Sequence, residues 1–176
     1  FDMSGAAIAL LLVDTLSKLN VKKNISCVIP VTDNMIDAAA QLPETILTSM
    51  SGKTVEVVNT DAEGRLILAD AITYAAKKLN SSLIIDLATL TGTVIYALGK
   101  YTGAWSSKDQ NWTILEKAAK NQNELIWRMP LNDIFLNSLY KNTHADILSC
   151  SDTDKPDSNI AAAWLNLFAS GKDYIH

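Results

Sequence analysis

The sequence predicts an α/β layered domain. Short apolar, β-branched runs alternate with longer segments patterned as helices, in the order helix–strand–strand–helix–strand–helix. The chain has 176 residues, of which 48% are hydrophobic and 19% charged. That is globular composition, and a chain of this size buries roughly 70% of its unfolded surface. One domain, or most of one, is therefore expected, and disorder is excluded as the main state.

The elements follow in order. Ala6 to Leu19 is apolar with polar breaks at Asp14, Ser17 and Lys18, behind Ser4 and Gly5 at a capping position. It reads as a largely buried helix. Asn24 to Val31 is a short apolar run and reads as a buried strand. Thr32 to Thr45 is loop-like, Ile46 to Met50 is ambiguous, and Ser51-Gly52 marks a turn. Thr54 to Val58 is β-branched and reads as a strand, followed by a polar loop, Asn59 to Gly64. Leu66 to Leu79 contains no Gly or Pro and ends in Lys77-Lys78, which suits a helix C-terminus. Leu83 to Ala88 is another strand, and Thr89 to Gly92 a turn. Thr113 to Lys120 and Leu131 to Lys141 are expected helices. Ser149 to Ser158, with Lys155-Pro156, is a polar loop. Ile160 to Ala169 is a helix closed by Gly171, and Tyr174 to His176 starts a strand.

Charge and cysteine usage narrow the function classes. Lys+Arg number 15 against Asp+Glu 19, a net charge of −4, which argues against general nucleic-acid binding because phosphate neutralisation needs a basic face. Cys27 and Cys150 make neither a disulfide framework nor, with His144 and His176, a zinc signature. They read as two reduced thiols. No apolar run reaches the ~18 residues of a membrane span, and nothing resembles a signal peptide, so a cytoplasmic location is expected. Phe1-Asp2-Met3-Ser4-Gly5 is no natural start, and the chain is expected to be an internal piece of a larger protein.

One loop concentrates the chemistry: Asn59-Thr60-Asp61-Ala62-Glu63-Gly64-Arg65 leaves the carboxyl end of a strand and enters a helix. Ligands bind at that end of open α/β sheets, and the helix start adds free N–H groups. In an extended stretch Asp61 and Glu63 point the same way, with Ala62 turned aside. Two like charges aimed together call for a cation between them, with Arg65 on an anion nearby. The same residues also read as an acidic first helical turn. Ala88-Thr89-Leu90-Thr91-Gly92 presents N–H groups and small hydroxyls; if its strand neighbours the first, the two loops share a crevice. It also reads as an ordinary tight turn. Asp2 is a third carboxylate, or a plain N-terminal acid.

Asn59-Thr60-Asp61-Ala62-Glu63-Gly64-Arg65-Leu66 resembles, letter for letter, the signature of the leucyl (cytosol) aminopeptidase family of metallopeptidases. Asp2 to Ala7, Met50 to Val57, Ala88 to Gly92, Arg128 to Leu131 and Ala145-Asp146 resemble further family blocks in the same order. The resemblance implies a three-layer α/β/α catalytic domain with a central mixed twisted sheet, and two divalent metals, zinc or manganese with magnesium or cobalt as variants. By position, Asp2 matches the ligand of the metal on the substrate-amine side, Asp61 the ligand of the other, and Glu63 the bridging glutamate. Arg65 matches the arginine that holds a bicarbonate acting as general base, aided by the backbone at Leu90. Asn59, Thr89 and Gly92 are expected to line the pocket for the first side chain, with the Thr89–Leu90 backbone on the peptide. Ala161-Ala162-Ala163 resembles a stretch bordering that pocket.

The resemblance therefore implies an aminopeptidase acting on peptides with a free N-terminus, leucine preferred, assembled as a homohexamer. Trp105, Trp112 and Trp127 are candidates for core or interface packing. A lysine and an aspartate ligand and a catalytic lysine precede this stretch in the family, so residues 1 to 176 alone are expected to be inactive. Residues 147–158 depart from a glycine-rich family stretch, which bears on the rim of the pocket. A DNA-binding or scaffold role, and anion binding at Arg65 without hydrolysis, are the alternatives.

Overall fold

The computed structural model describes residues 1–141, 143–151, 153 and 156–176. Asp152, Asp154 and Lys155 of the expected polar loop therefore lie outside the described residues. The first helix, α1 (Ser4–Lys18), buries Gly5 alone. Ala6, Ala9, Val13 and Leu16 form a half-buried stripe at helical spacing, while Ile8, Leu10, Leu11 and Leu12 stay exposed. The expected largely buried helix is thus a surface helix. It is apolar on every side from Gly5 to Val13, and the body meets it along one stripe. Residues 24–31 form no ladder, although Cys27 to Pro30 are half-buried. Apolarity alone does not make a strand; it needs a partner to exchange N–H···O bonds.

Strands β1 (Ile46–Thr48) and β2 (Thr54–Glu56) pair antiparallel, Leu47 opposite Val55. The turn between them uses Gly52 at φ +93°, a conformation that glycine adopts without strain. Helix α2 (Glu63–Lys77) follows, then β3 (Leu83–Ile85), α3 (Thr93–Leu98), β4 (Thr102–Ala104), α4 (Asp109–Gln122) and β5 (Ile126–Arg128). The expected helix over Leu131 to Lys141 is instead a 3-10 helix, Asp133–Leu136, with turns after it. Strand β6 (Ile147–Leu148), helix α5 (Asp157–Asn166) and strand β7 (Asp173–Ile175) complete the chain.

β6 pairs parallel with β2, Val55 opposite Ile147. β3 pairs parallel with β7, Ile84 opposite Tyr174, and β4 with β5 in the same sense. The chain after β4 then joins β7: Trp105 N donates to His176 O at 3.0 Å and receives the reciprocal bond at 2.9 Å. Antiparallel and parallel pairs thus mix in an α/β domain.

The core lies where α2 and α5 cover the strands. Ala69, Ile72 and Ala76 of α2 meet Ile160, Ala163 and Trp164 of α5, with Val55, Ile84, Ile147, Phe168 and Tyr174. The i, i+3, i+7 spacing of the α2 residues is the apolar stripe of a helix packed on one side. Trp105 is buried and Trp127 exposed.

Candidate active site

The loop after β2 is wound, not extended. The Asn59 side chain accepts a hydrogen bond from Asp61 N at 2.9 Å and caps a 3-10 helix, Thr60–Ala62. α2 starts directly at Glu63. The alternation expected of an extended stretch is therefore lost, and Ala62 lines the same cleft as Asp61 and Glu63. The two carboxylates still face one space, through the turn and not through strand periodicity.

Asp2 is brought to this cleft by a close backbone approach. A Cβ added to Gly5 would lie 1.9 Å from Leu87 O, so only glycine lets the start of α1 rest on the chain after β3. Asp2 then accepts a hydrogen bond from Thr89 Oγ1 at 2.8 Å. A Cβ on Gly64 would meet Leu90 Cδ1 at 3.1 Å, so the start of α2 touches the same turn from the other side. β2 and β3 belong to different sheets; the two loops share a crevice because α2 bridges them.

Arg65 is 3% exposed. A buried guanidinium requires compensation. Nη2 lies 3.0 Å from Asp157 Oδ1 and Nη1 donates to Ser149 O at 3.3 Å. Nε is buried and has no partner among the described residues. Asp157 opens α5, and the next two residues tie that helix start down. Ser158 Oγ lies 2.7 Å from both Thr91 Oγ1 and Thr93 Oγ1, and Asn159 Oδ1 accepts from Trp105 Nε1 at 2.9 Å. Nothing in the sequence marks Asp157 and Ser158 as site residues, since after Pro156 they read as the end of a loop. Ala161, Ala162 and Ala163 are buried within α5.

Below the Ala88–Gly92 turn, Asp86 is a buried carboxyl with two partners. Tyr174 Oη donates to Asp86 Oδ2 at 2.5 Å, and His176 Nδ1 lies 2.7 Å from Asp86 Oδ1. Burial, and then the nearby Asp86, hold the Tyr174 phenol well above its ordinary pKa. This network joins the end of β3 to β7 directly beneath the turn.

The cleft measures about 870 Å³. Asp2, Asn59, Asp61, Glu63, Arg65, Thr89, Leu90, Gly92 and Asp157 all line it, whereas Ala161, Ala162 and Ala163, expected to border the same pocket, are packed inside the domain and do not. Its carboxylates are the hard oxygen donors that a divalent cation such as zinc, manganese or magnesium accepts. In kind they fit a metal. In arrangement they do not complete a site, because among the described residues no three His, Cys, Asp or Glu side chains gather closely enough to hold an ion. No helix among the described residues is long and apolar enough to cross a membrane.

The family model described as "Cytosol aminopeptidase family, catalytic domain" matches residues 1–176. A "Probable cytosol aminopeptidase" of Metamycoplasma salivarium is 46% identical over 177 residues, covering 100% of this chain and 34% of that protein. Proteins of the same description from Mycoplasma genitalium (strain ATCC 33530 / DSM 19775 / NCTC 10195 / G37) and Bacillus subtilis (strain 168) are 45% and 41% identical, with 100% and 99% of this chain covered. The chain spans 40% and 35% of their lengths.

Proposed function

The chain belongs to the cytosol aminopeptidase family, and from that premise we propose that the whole protein is a metal-dependent aminopeptidase. It removes N-terminal residues, leucine among them, from peptides with a free amine. The observation that carries this reading is the meeting of Asp2, the Asn59–Arg65 loop and the Ala88–Gly92 turn on one cleft.

In the proposed site, Asp2, Asp61 and Glu63 would hold two divalent cations, zinc or manganese with magnesium or cobalt as variants, together with ligands beyond these residues. When bound, such ions polarise a carbonyl and lower the pKa of water. Arg65 would hold an oxyanion, bicarbonate in the family the sequence resembles, that would supply a base for the attacking water, with the Leu90 backbone beside it. The planar guanidinium suits such an anion. The Thr89–Leu90 backbone orients the peptide, and Asn59, Thr89 and Gly92 border the first side chain. Cytoplasmic location and assembly into a homohexamer belong to the same proposal.

The test is Glu63→Ala in the whole protein. Hydrolysis of leucine-p-nitroanilide should disappear, and elemental analysis should find less metal per chain. A variant with full metal content and undiminished rate would remove Glu63 from the site and the reading with it.

A further inference from the structure

Arg65 raises a question of charge balance that the loop itself does not answer. Its guanidinium is out of water, and a buried charge persists only beside a countercharge. Asp61 and Glu63 sit on the same loop, yet the ion pair is made with Asp157, 92 positions away. Asp157 uses Oδ1 for this contact, and its Oδ2 takes no hydrogen bond among the described residues. The side chain is 32% exposed and lines the cleft. It is also not a loose surface acid. Ser158 and Asn159 pin the start of α5 to Thr91, Thr93 and Trp105, and a helix N-terminus favours a carboxylate.

We infer that Asp157 is the oxyanion of Arg65, so the seat is filled from within the chain. The inference rests on the aminopeptidase reading above and assigns the base of that reaction. One carboxylate oxygen stays on Arg65 while the other takes a proton from the attacking water. The water oxygen bonds to the scissile carbonyl carbon, the C–N bond breaks, and the proton passes from Asp157 to the leaving nitrogen. Asp157 returns to its starting form, and no small anion from solution is consumed or required.

The experiment uses the whole, metal-loaded protein as wild type, Asp157→Ala and Asp157→Asn, assayed on leucine-p-nitroanilide in CO₂-free buffer. Formate, bicarbonate or chloride is then added at matched ionic strength. Wild-type kcat should not respond to any of them. Asp157→Ala should lose about 10²-fold in kcat, the usual worth of a positioned base, and recover with formate or bicarbonate but not chloride. Asp157→Asn fills the space yet accepts no proton, so it should stay inactive in every salt. An Asp157→Ala rate equal to wild type in CO₂-free buffer, or a wild-type rate that rises with bicarbonate, would overturn the assignment.

If the wild type cleaves no aminoacyl substrate, the aminopeptidase reading fails by itself. The seat is then judged by calorimetric titration with formate: binding to Asp157→Ala and not to wild type supports a filled seat, and equal binding refutes it. If the variants do not fold, the bicarbonate response of the wild type decides.

Discussion

Gly5 is the position where one methyl group does most harm. Its missing Cβ would fall 1.9 Å from a backbone oxygen, and backbone cannot step aside as a flexible side chain can. Gly5→Ala should cost about 1–3 kcal/mol of stability as an overpacked contact. It should also lower kcat by up to about 10²-fold, because Asp2 shifts with the helix start; urea unfolding and the leucine-p-nitroanilide assay check the two effects. Tyr174 offers a second test. Tyr174→Phe removes a hydrogen bond to a buried carboxyl, which is worth about 2 kcal/mol. Its raised pKa gives the sign of the pH effect: the contribution is complete below the ordinary value of 10.0 and is lost as pH rises above it. The gap between wild type and Tyr174→Phe in thermal unfolding should therefore narrow in alkali. That Asp61, Glu63 and Arg65 border one cleft was legible in the sequence because they lie within one five-residue stretch. Asp157 was not, because only the packing of α5 on α2 brings it to Arg65.

At the scale of elements, β2 and β6 are clamped by side chains at both ends of a short pairing. Asp146 accepts from Thr54 N at 2.8 Å and Thr54 Oγ1 at 2.9 Å. Glu56 accepts from His144 N and Thr143 Oγ1, each at 2.8 Å. Both carboxyls are held below their ordinary values, Glu56 chiefly by the His144 N–H and Asp146 chiefly by the Thr54 N–H. A depressed carboxyl stabilises the fold above its unfolded pKa and stops doing so as pH falls through the folded one. Asp146→Asn should thus lower the melting temperature at neutral pH, with the deficit closing below pH 3.8, the ordinary value for this group. Differential scanning calorimetry from neutral to acid pH checks it. Helix α2 was legible from a run without Gly or Pro that ends in Lys77-Lys78, and α5 from its closure at Gly171. The 131–141 segment misled, because Asn132 accepts from Ile134 N at 2.9 Å and fixes a tight turn. Leu136 and Leu139 are then both buried, at the three-residue interval that a 3-10 turn places on one side. The 24–31 run misled because pairing is a property of two segments, and its sequence describes one.

Across the whole molecule, large apolar side chains remain at the surface, among them Leu10, Leu11, Tyr96, Trp127 and Ile134. Soluble monomers rarely leave broad apolar patches uncovered. Residues 1–176 expressed alone should therefore self-associate in light scattering. They should also fail to turn over leucine-p-nitroanilide with added Mn²⁺ or Zn²⁺, since the described carboxylates do not complete an ion site and a half-built ligand set holds no productive geometry. A monodisperse, active preparation would contradict both expectations. The layered α/β class was visible in the order of elements, whereas the division into small sheets was not, because strand length depends on neighbours.

The sparse burial of α1 has a dynamic consequence. A helix that buries one glycine and half-buries the stripe of Ala6, Ala9, Val13 and Leu16 should lift more readily than α2 or α5, and Asp2 reaches the cleft only when it is seated. With Asp2 as a ligand, the apparent cation affinity is the intrinsic value scaled by the seated fraction. Linkage is reciprocal, so cation binding in turn holds the helix down. Amide exchange across Ser4–Lys18 should slow when Mn²⁺ or Zn²⁺ is added to the whole protein, and that slowing should vanish in Asp2→Asn.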